Sequence, residues 1–292
     1  MREETMIADN VRADILIQAM PYIKSFAGKI VVVKYGGAAM INEGVRAAVL
    51  QDLILMQQVG IRPVLVHGGG PEIDRMLKKL GKERVFVDGI RYTDDETMEI
   101  VQMVLSGKVN KDLVAHIERQ GGSALGICGG DGGLFRAERL LKNGKDLGMV
   151  GAITSVNPDV IHRALDAGYI PVVSTIALRP NDEPGYFNIN ADTAAAELAG
   201  ALGAEKLILL TDVPGLLKDV ADSATLISVL KRGEVPALIG QGIVSGGMIP
   251  KVECCVQALS LGVKSTHILD GRSPHSLLIE LFSDRGMGTM IV

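Results

Sequence analysis

Residues 29–37 read Lys29-Ile30-Val31-Val32-Val33-Lys34-Tyr35-Gly36-Gly37. Three valines in a row inside an apolar run predict a strand buried on both faces. The paired glycines end it and leave backbone N–H groups free for an anion. Residues 62–71 repeat the pattern: Arg62-Pro63-Val64-Leu65-Val66-His67 as a strand, Gly68-Gly69-Gly70 as a cluster, and Pro71 in the first turn of a helix reaching about Leu80. Between the two, Val45, Val49, Leu53 and Met56 share one face of a helix over about residues 44–59, stopped by Gly60. Strand, glycine turn and helix, twice over, indicate an α/β protein with a mainly parallel sheet and ligands beyond the carboxyl ends of its strands.

The alternation continues outward. Ahead of the first strand, Ile7, Val11, Ile15, Leu16 and Met20 recur at helical spacing, with Pro21 expected to interrupt them. A helical region covers about residues 94–120, and a strand follows at 124–128. Asn157-Pro158 opens a helix ending near Gly168, and residues 169–174 form a strand. An Ala-rich helix starts near Asp192 and runs to about Leu202, followed by a strand at 206–210. A last helix over about 248–261 precedes a strand at 266–269, and residues 288–292 read as an edge or closing strand. The Gly-rich stretch 129–148 lacks periodicity and reads as a hairpin or loop. The polar, turn-rich run 179–185 marks a lobe boundary.

Composition removes several classes. The chain has 292 residues and a net charge of -4 with no long Lys/Arg run, and Trp is absent, which argues against nucleic acid. No apolar run reaches the roughly 20 residues of a membrane span. Met1-Arg2-Glu3-Glu4 fits neither a signal nor a transit peptide. Cys128, Cys254 and Cys255 are odd in number and two are adjacent, which suits buried thiols in a reducing cytoplasm. The histidines show no zinc spacing with them. Neither G-x-x-x-x-G-K-[ST] nor a strand-linked G-x-G-x-x-G occurs, so a standard P-loop and a dinucleotide fold are disfavoured.

Five clusters carry the chemistry. Lys34 ends a buried strand beside Gly36-Gly37. Gly68-Gly69-Gly70 opens a helix, whose first N–H groups and dipole favour an anion. Asn188-Ile189-Asn190-Ala191-Asp192 leads into a helix, where an Asp ordinarily serves as a cap. Thr211 to Leu217 combines a strand end, a polar pair and a tight turn, which suits a nucleotide on backbone groups. Gly246-Gly247-Met248-Ile249-Pro250-Lys251 sets a second lysine among apolar residues at a helix start, where it calls for a partner or an anionic ligand.

Six strings together resemble the amino-acid kinase family: Val33 to Gly37, Val66 to Pro71 (VHGGGP), Gly89-Ile90-Arg91-Tyr92-Thr93, Asn188 to Thr193 (NINADT), Leu209 to Gly215 (LLTDVPG) and Gly246 to Val252 (GGMIPKV). Within that family the set is similar to the arginine-biosynthesis branch that phosphorylates N-acetyl-L-glutamate. The likeness runs from about Met6 to Val292, with Tyr35 in place of the usual aliphatic residue or Phe. It implies a three-layer sandwich around the sheet, with an oligomerisation helix in 1–28, an acceptor lobe in 29–187 and a nucleotide lobe in 188–292. It also implies that Lys34 and Lys251 stabilise the phosphoryl group in transfer while Asp192 holds both. The acceptor would lie on Gly69 and Gly70, with Arg91 on its carboxylate and Asn188 on its polar end. ATP would meet Gly36, Gly37, Asp212, Val213, Pro214, Gly215, Leu216, Leu217, Ile243, Val244 and Ser245. Mg2+ would arrive with the nucleotide, held by phosphates and water rather than by a metal site of the protein.

The segment from His267 to Arg272, with Glu280 and Gly286, resembles the signature of arginine-inhibited members, which are hexamers of interlaced N-terminal helices. L-Arginine would then pair its guanidinium with Glu280 near His267, Gly286 and Tyr22. The resemblance leaves open whether a PII signalling protein binds. It also leaves other acceptors of the family standing: glutamate, aspartate, carbamate or a nucleoside monophosphate. A catalytically silent amino-acid sensor is the reading from another class. Arg91 and the N-terminal helix favour N-acetyl-L-glutamate, and the presence of both lysines favours an enzyme.

Overall fold

The computed structural model describes residues 8–40, 42–180, 183–284 and 286–292. Ile7, and Asn181 and Asp182 in the expected lobe boundary, lie outside the described residues. The strands are β1 (Ile30–Tyr35), β2 (Arg62–His67), β3 (Phe86–Val87), β4 (Ile90–Arg91), β5 (Ala124–Cys128), β6 (Phe135–Lys142), β7 (Lys145–Val156), β8 (Ile170–Ser174), β9 (Ile176–Leu178), β10 (Tyr186–Asn188), β11 (Lys206–Thr211), β12 (Val229–Leu230), β13 (Ser265–Asp270) and β14 (Thr289–Ile291). The α-helices are α1 (Asp9–Phe26), α2 (Glu43–Gln58), α3 (Gly70–Lys79), α4 (Asp95–Gln102), α5 (Asn110–Arg119), α6 (Asp159–Asp166), α7 (Ala191–Ala201), α8 (Val235–Gly240), α9 (Met248–Ser260) and α10 (Ser276–Phe282).

Eight strands form one sheet in the order β12-β14-β13-β11-β1-β2-β8-β5, parallel except where β14 runs against β13. β1 sits at its centre, flanked by β11 and β2. Val31, Val32 and Val33 are fully buried; each such side chain stabilises the fold by about 1.5–3 kcal/mol relative to exposure. Helices α7 and α9 pack against the sheet and each other, while α2, α5 and α10 pack together with other parts of it. β6, β7, β9 and β10 close into a small barrel. The α/β architecture with a mainly parallel sheet is therefore as the sequence indicates.

Three local features differ from the sequence reading, and a fourth settles a choice it left open. Pro21 does not interrupt the first helix: α1 continues to Phe26. Proline removes the bond to the residue four before it, and that residue, Ile17, is 62% exposed, so water can satisfy its carbonyl. The helical region after Asp94 contains a seven-residue π-helical segment, Met103–Val109, between α4 and α5. The C-terminal strand is not an edge, because β12, unread in the sequence at only two residues, pairs outside it. The Gly-rich stretch is a hairpin whose second strand, β7, extends to Val156.

Candidate active site

Lys34 points from the carboxyl end of β1 and is 8% exposed. A buried ammonium needs a partner, and Asp192 supplies it, with Oδ1 2.8 Å from Lys34 Nζ. The other oxygen of the same carboxylate, Oδ2, lies 3.0 Å from Nζ of Lys251 in the first turn of α9. Burial raises the cost of charge on Asp192, but the two ammonium groups outweigh it and hold its pKa down at about 2. Gly36 gives Lys34 its path: a Cβ there would meet Nζ at 3.1 Å.

Asp192 is available for this because it does not cap α7. Asn190 does, accepting from the N–H groups of Asp192 and Thr193 at 2.9 and 3.1 Å. The cap expected at Asp192 is therefore displaced by two residues. Behind the centre, Cys254 Sγ donates to the Asp192 carbonyl oxygen at 2.9 Å, tying α9 to the start of α7. Cys254 and Cys255 are buried thiols, with burial pushing the latter up to about 12; Cys128 is partly exposed and also free.

The second glycine turn lies beside the first, since the Gly68 N–H donates to the Tyr35 carbonyl at 3.0 Å. Gly69 precedes the first residue of α3, Gly70. Arg91 leans over this helix start, its Nη2 3.5 Å from the Gly70 carbonyl. It is buried, ion-paired to Asp74 at 2.7 Å and stacked 4.9 Å from the Phe86 ring. Its Nη1 is buried with no hydrogen-bond partner among the described residues. Asn188 joins the group through Thr93: Nδ2 of Asn188 donates to Thr93 Oγ1 at 3.2 Å, and that hydroxyl donates to the Arg91 carbonyl at 3.1 Å. Asp74, Phe86 and Thr93 were missed as site residues. Only Thr93 left a trace, as the last residue of the Gly-Ile-Arg-Tyr-Thr string.

On the other side of the lysines a cavity of about 500 Å³ is lined by residues 212–217, Ile243, Ser245, Lys251 and Arg272. Val244 does not line it, being buried with its N–H on the Leu238 carbonyl. Gly36 and Gly37 also lie outside its lining. The turn needs Gly215, whose φ is 146° and where a Cβ would meet Thr289 Oγ1 at 2.7 Å. Thr289 Oγ1 also accepts the Leu216 N–H at 2.8 Å, so β14 braces the turn. Arg272, paired with Asp270 at 2.9 Å, lines the cavity, whereas the sequence reading has it only in the His267 to Arg272 string and not beside a nucleotide. Among the described residues, no group of three His, Cys, Asp or Glu side chains could hold a metal ion. No helix among them is long and apolar enough to cross a membrane.

A separate cluster lies at α10. Glu280 Oε1 is 2.8 Å from His267 Nδ1, and its Oε2 accepts the Met287 N–H at 2.8 Å. Burial works against its charge, but these contacts prevail and lower its pKa. Lys206 Nζ lies 2.9 Å from His267 Nε2, which makes Nε2 the acceptor and leaves the proton on Nδ1, beside the Glu280 carboxylate. Gly286 adjoins Glu280, as a Cβ there would meet Oε2 at 2.6 Å. Tyr22 is not part of this group directly; its hydroxyl donates to Asp284, just past α10.

A strand-end lysine, a second lysine from another helix and one carboxylate between them, set over glycine turns and a cavity, define a phosphoryl-transfer class of site. The match to known proteins agrees: residues 29–270 fit the amino acid kinase family, and the chain belongs to it. Relatives include the acetylglutamate kinase of Clostridium beijerinckii, 54% identical over 98% of this chain and 100% of that protein. The acetylglutamate kinase of Clostridium kluyveri is 56% identical over 97% and 99%. Among solved structures, N-acetylglutamate synthase from Neisseria gonorrhoeae, complexed with coenzyme A and N-acetyl-glutamate, aligns at TM-score 0.84 and 27% identity. That alignment covers 96% of this chain and 63% of the synthase. Carbamate kinase from Giardia lamblia, bound to AMP-PNP, shares the fold at TM-score 0.65 and 16% identity, over 91% and 99%.

Proposed function

We propose that the chain transfers the γ-phosphoryl group of ATP to the side-chain carboxylate of N-acetyl-L-glutamate. The observation that carries this is Asp192 holding Lys34 and Lys251 together between the glycine turns and the cavity. A carboxylate oxygen attacks the γ-phosphorus, the bond to the β,γ-bridging oxygen breaks, and ADP leaves with its electron pair. No proton moves, because a carboxylic acid of pKa about 4.3 is already ionised at neutral pH. Negative charge accumulates between two anions, and two cations sharing one carboxylate leave a net positive charge to meet it. Asp192 organises; it is not a base. Mg2+ bound to the nucleotide's phosphates would add charge neutralisation there.

The acceptor lies on Gly69 and Gly70, with the unpartnered Nη1 of Arg91 toward a carboxylate and Asn188 toward the acetamido end. ATP occupies the cavity beside residues 212–217, with Gly36 and Gly37 on its phosphates. Residues 29–187 then form the acceptor lobe and 188–292 the nucleotide lobe, each contributing one lysine. Supporting this substrate are the names of the relatives and their near-complete coverage. ADP release with N-acetyl-L-glutamate, glutamate, aspartate, carbamate and UMP tests it. Turnover with N-acetyl-L-glutamate alone is expected; turnover with glutamate but not its acetyl form would overturn the substrate.

The same reading extends to control by L-arginine at Glu280, His267 and Gly286, in a homohexamer joined through α1. Supporting it are the apolar side chains of α1, with Ile15, Leu16, Ile17 and Met20 each more than half exposed, and the Tyr22–Asp284 contact linking α1 to the Glu280 segment.

A further inference from the structure

His67, directly ahead of the glycine cluster, is completely buried and has no part in the chemistry above. Its neighbours decide which ring nitrogen carries the proton. Nδ2 of Asn110 lies 2.8 Å from the Val172 carbonyl oxygen and 3.1 Å from His67 Nε2. Its Oδ1 accepts from Lys111 Nζ at 3.1 Å. An acceptor on one end and an ammonium on the other orient the amide, so its Nδ2 donates and His67 Nε2 must accept. The proton is therefore on Nδ1, which lies 2.9 Å from the carbonyl oxygen of Gly68. Burial holds the imidazole neutral, with its pKa lowered to about 4, so this tautomer persists at neutral pH.

The helix carrying Asn110 reaches the glycine loop by way of its π-helical segment. Leu105 and Asn110 are five residues apart, which in an α-helix would turn them about 140° from each other. A π turn closes from i to i+5, and here the Asn110 N–H does donate to the Leu105 carbonyl. Leu105 consequently packs on Gly69 of the loop, while Asn110 reaches His67 and lies against β5. A Cβ on Gly69 would meet Leu105 Cδ2 at 2.5 Å, and a Cβ on Gly126 would meet Asn110 Oδ1 at 2.1 Å. Ser106, in the same segment, lies 3.2 Å from Ser174 through their hydroxyls.

We infer that His67 and Asn110 are positioning residues of the acceptor loop: the Nδ1–H donated to the Gly68 carbonyl sets the peptide planes that aim Gly69 and Gly70 at the acceptor. This rests on the reading that the acceptor lies on those glycines. Neither side chain touches substrate.

Two measurements test it. Selective 15N-histidine labelling of the full chain reads the tautomer, with the His67 signal assigned by its loss in His67→Asn. A neutral ring protonated on Nδ1 is expected; protonation on Nε2, or on both nitrogens, at pH 7 overturns the inference whether or not any variant is active. In kinetics, His67→Leu should raise KM for the acceptor about tenfold and leave KM for ATP within about twofold, the size of one lost hydrogen bond. His67→Asn, whose amide N–H replaces Nδ1–H, should recover most of that loss. A rise in both KM values, or no recovery in His67→Asn, would mean a merely structural role and overturn the inference. Arg91→Lys separates the two failures. If it raises acceptor KM while His67→Leu does not, the inference alone falls; if neither does, the placement of the acceptor falls with it.

Discussion

Asp192 is one carboxylate held by two ammonium groups, and in the proposed mechanism their surplus positive charge stabilises the phosphoryl group in transfer. Lys34→Ala or Lys251→Ala should lower kcat by on the order of 10²–10³-fold, the cost of one preorganised transition-state contact, with ATP affinity nearly unchanged by calorimetry. Asp192→Asn leaves the buried Lys34 and the partly buried Lys251 without their counter-charge, and urea unfolding should show a loss of about 3 kcal/mol. The pH sign follows from its depressed pKa of about 2. The unfolded-state value is about 3.9, so the stability from Asp192 is complete well above that and is lost as pH falls through 2, by about 3 kcal/mol. Comparing acid unfolding of the parent with Asp192→Asn isolates the contribution; equal pH dependence in both would rule it out.

At the level of elements, the N-cap of α7 decides whether Asp192 is free. Asn190→Ala should cost about 1 kcal/mol of stability and also reduce kcat, because Asp192 is the nearest side chain able to take over the cap. Thermal unfolding and turnover on one preparation check both effects. The buried strands were legible because runs such as Val31-Val32-Val33 have one comfortable environment. The glycine turns were legible because they punctuate those strands. The Asn190 cap was obscured by Asp192 two residues later, an equally good cap by residue type. The π-helical segment leaves no mark in composition, and the contacts it makes, Leu105 on Gly69 and Asn110 on Gly126, are with glycines distant in sequence. β12 is too short for periodicity, and it exists because β14 offers it an edge. Asp74 and Phe86 take their places around Arg91 from the folding of separate segments, which local pattern does not carry.

On the scale of the molecule, the central sheet sets β1 beside both β2 and β11, so the turns after three neighbouring strands converge on one site. Helix α1 stands outside the segment that matches the family, and none of its residues is buried. Removing residues 1–26 should therefore leave basal turnover largely intact, reduce the mass of the assembly by light scattering, and weaken inhibition by L-arginine. Equal arginine potency in the intact and shortened chains would disconnect α1 from control. In the proposed reaction Lys34, Asp192 and Lys251 form an acyl phosphate from N-acetyl-L-glutamate and ATP. Hydroxylamine intercepts acyl phosphates as hydroxamates, so trapping measures the product itself. The expected result is N-acetylglutamyl hydroxamate formed at the rate of ADP release by the parent chain and reduced at least a hundredfold in Lys251→Ala; ADP release without hydroxamate, or undiminished hydroxamate in the variant, would contradict it.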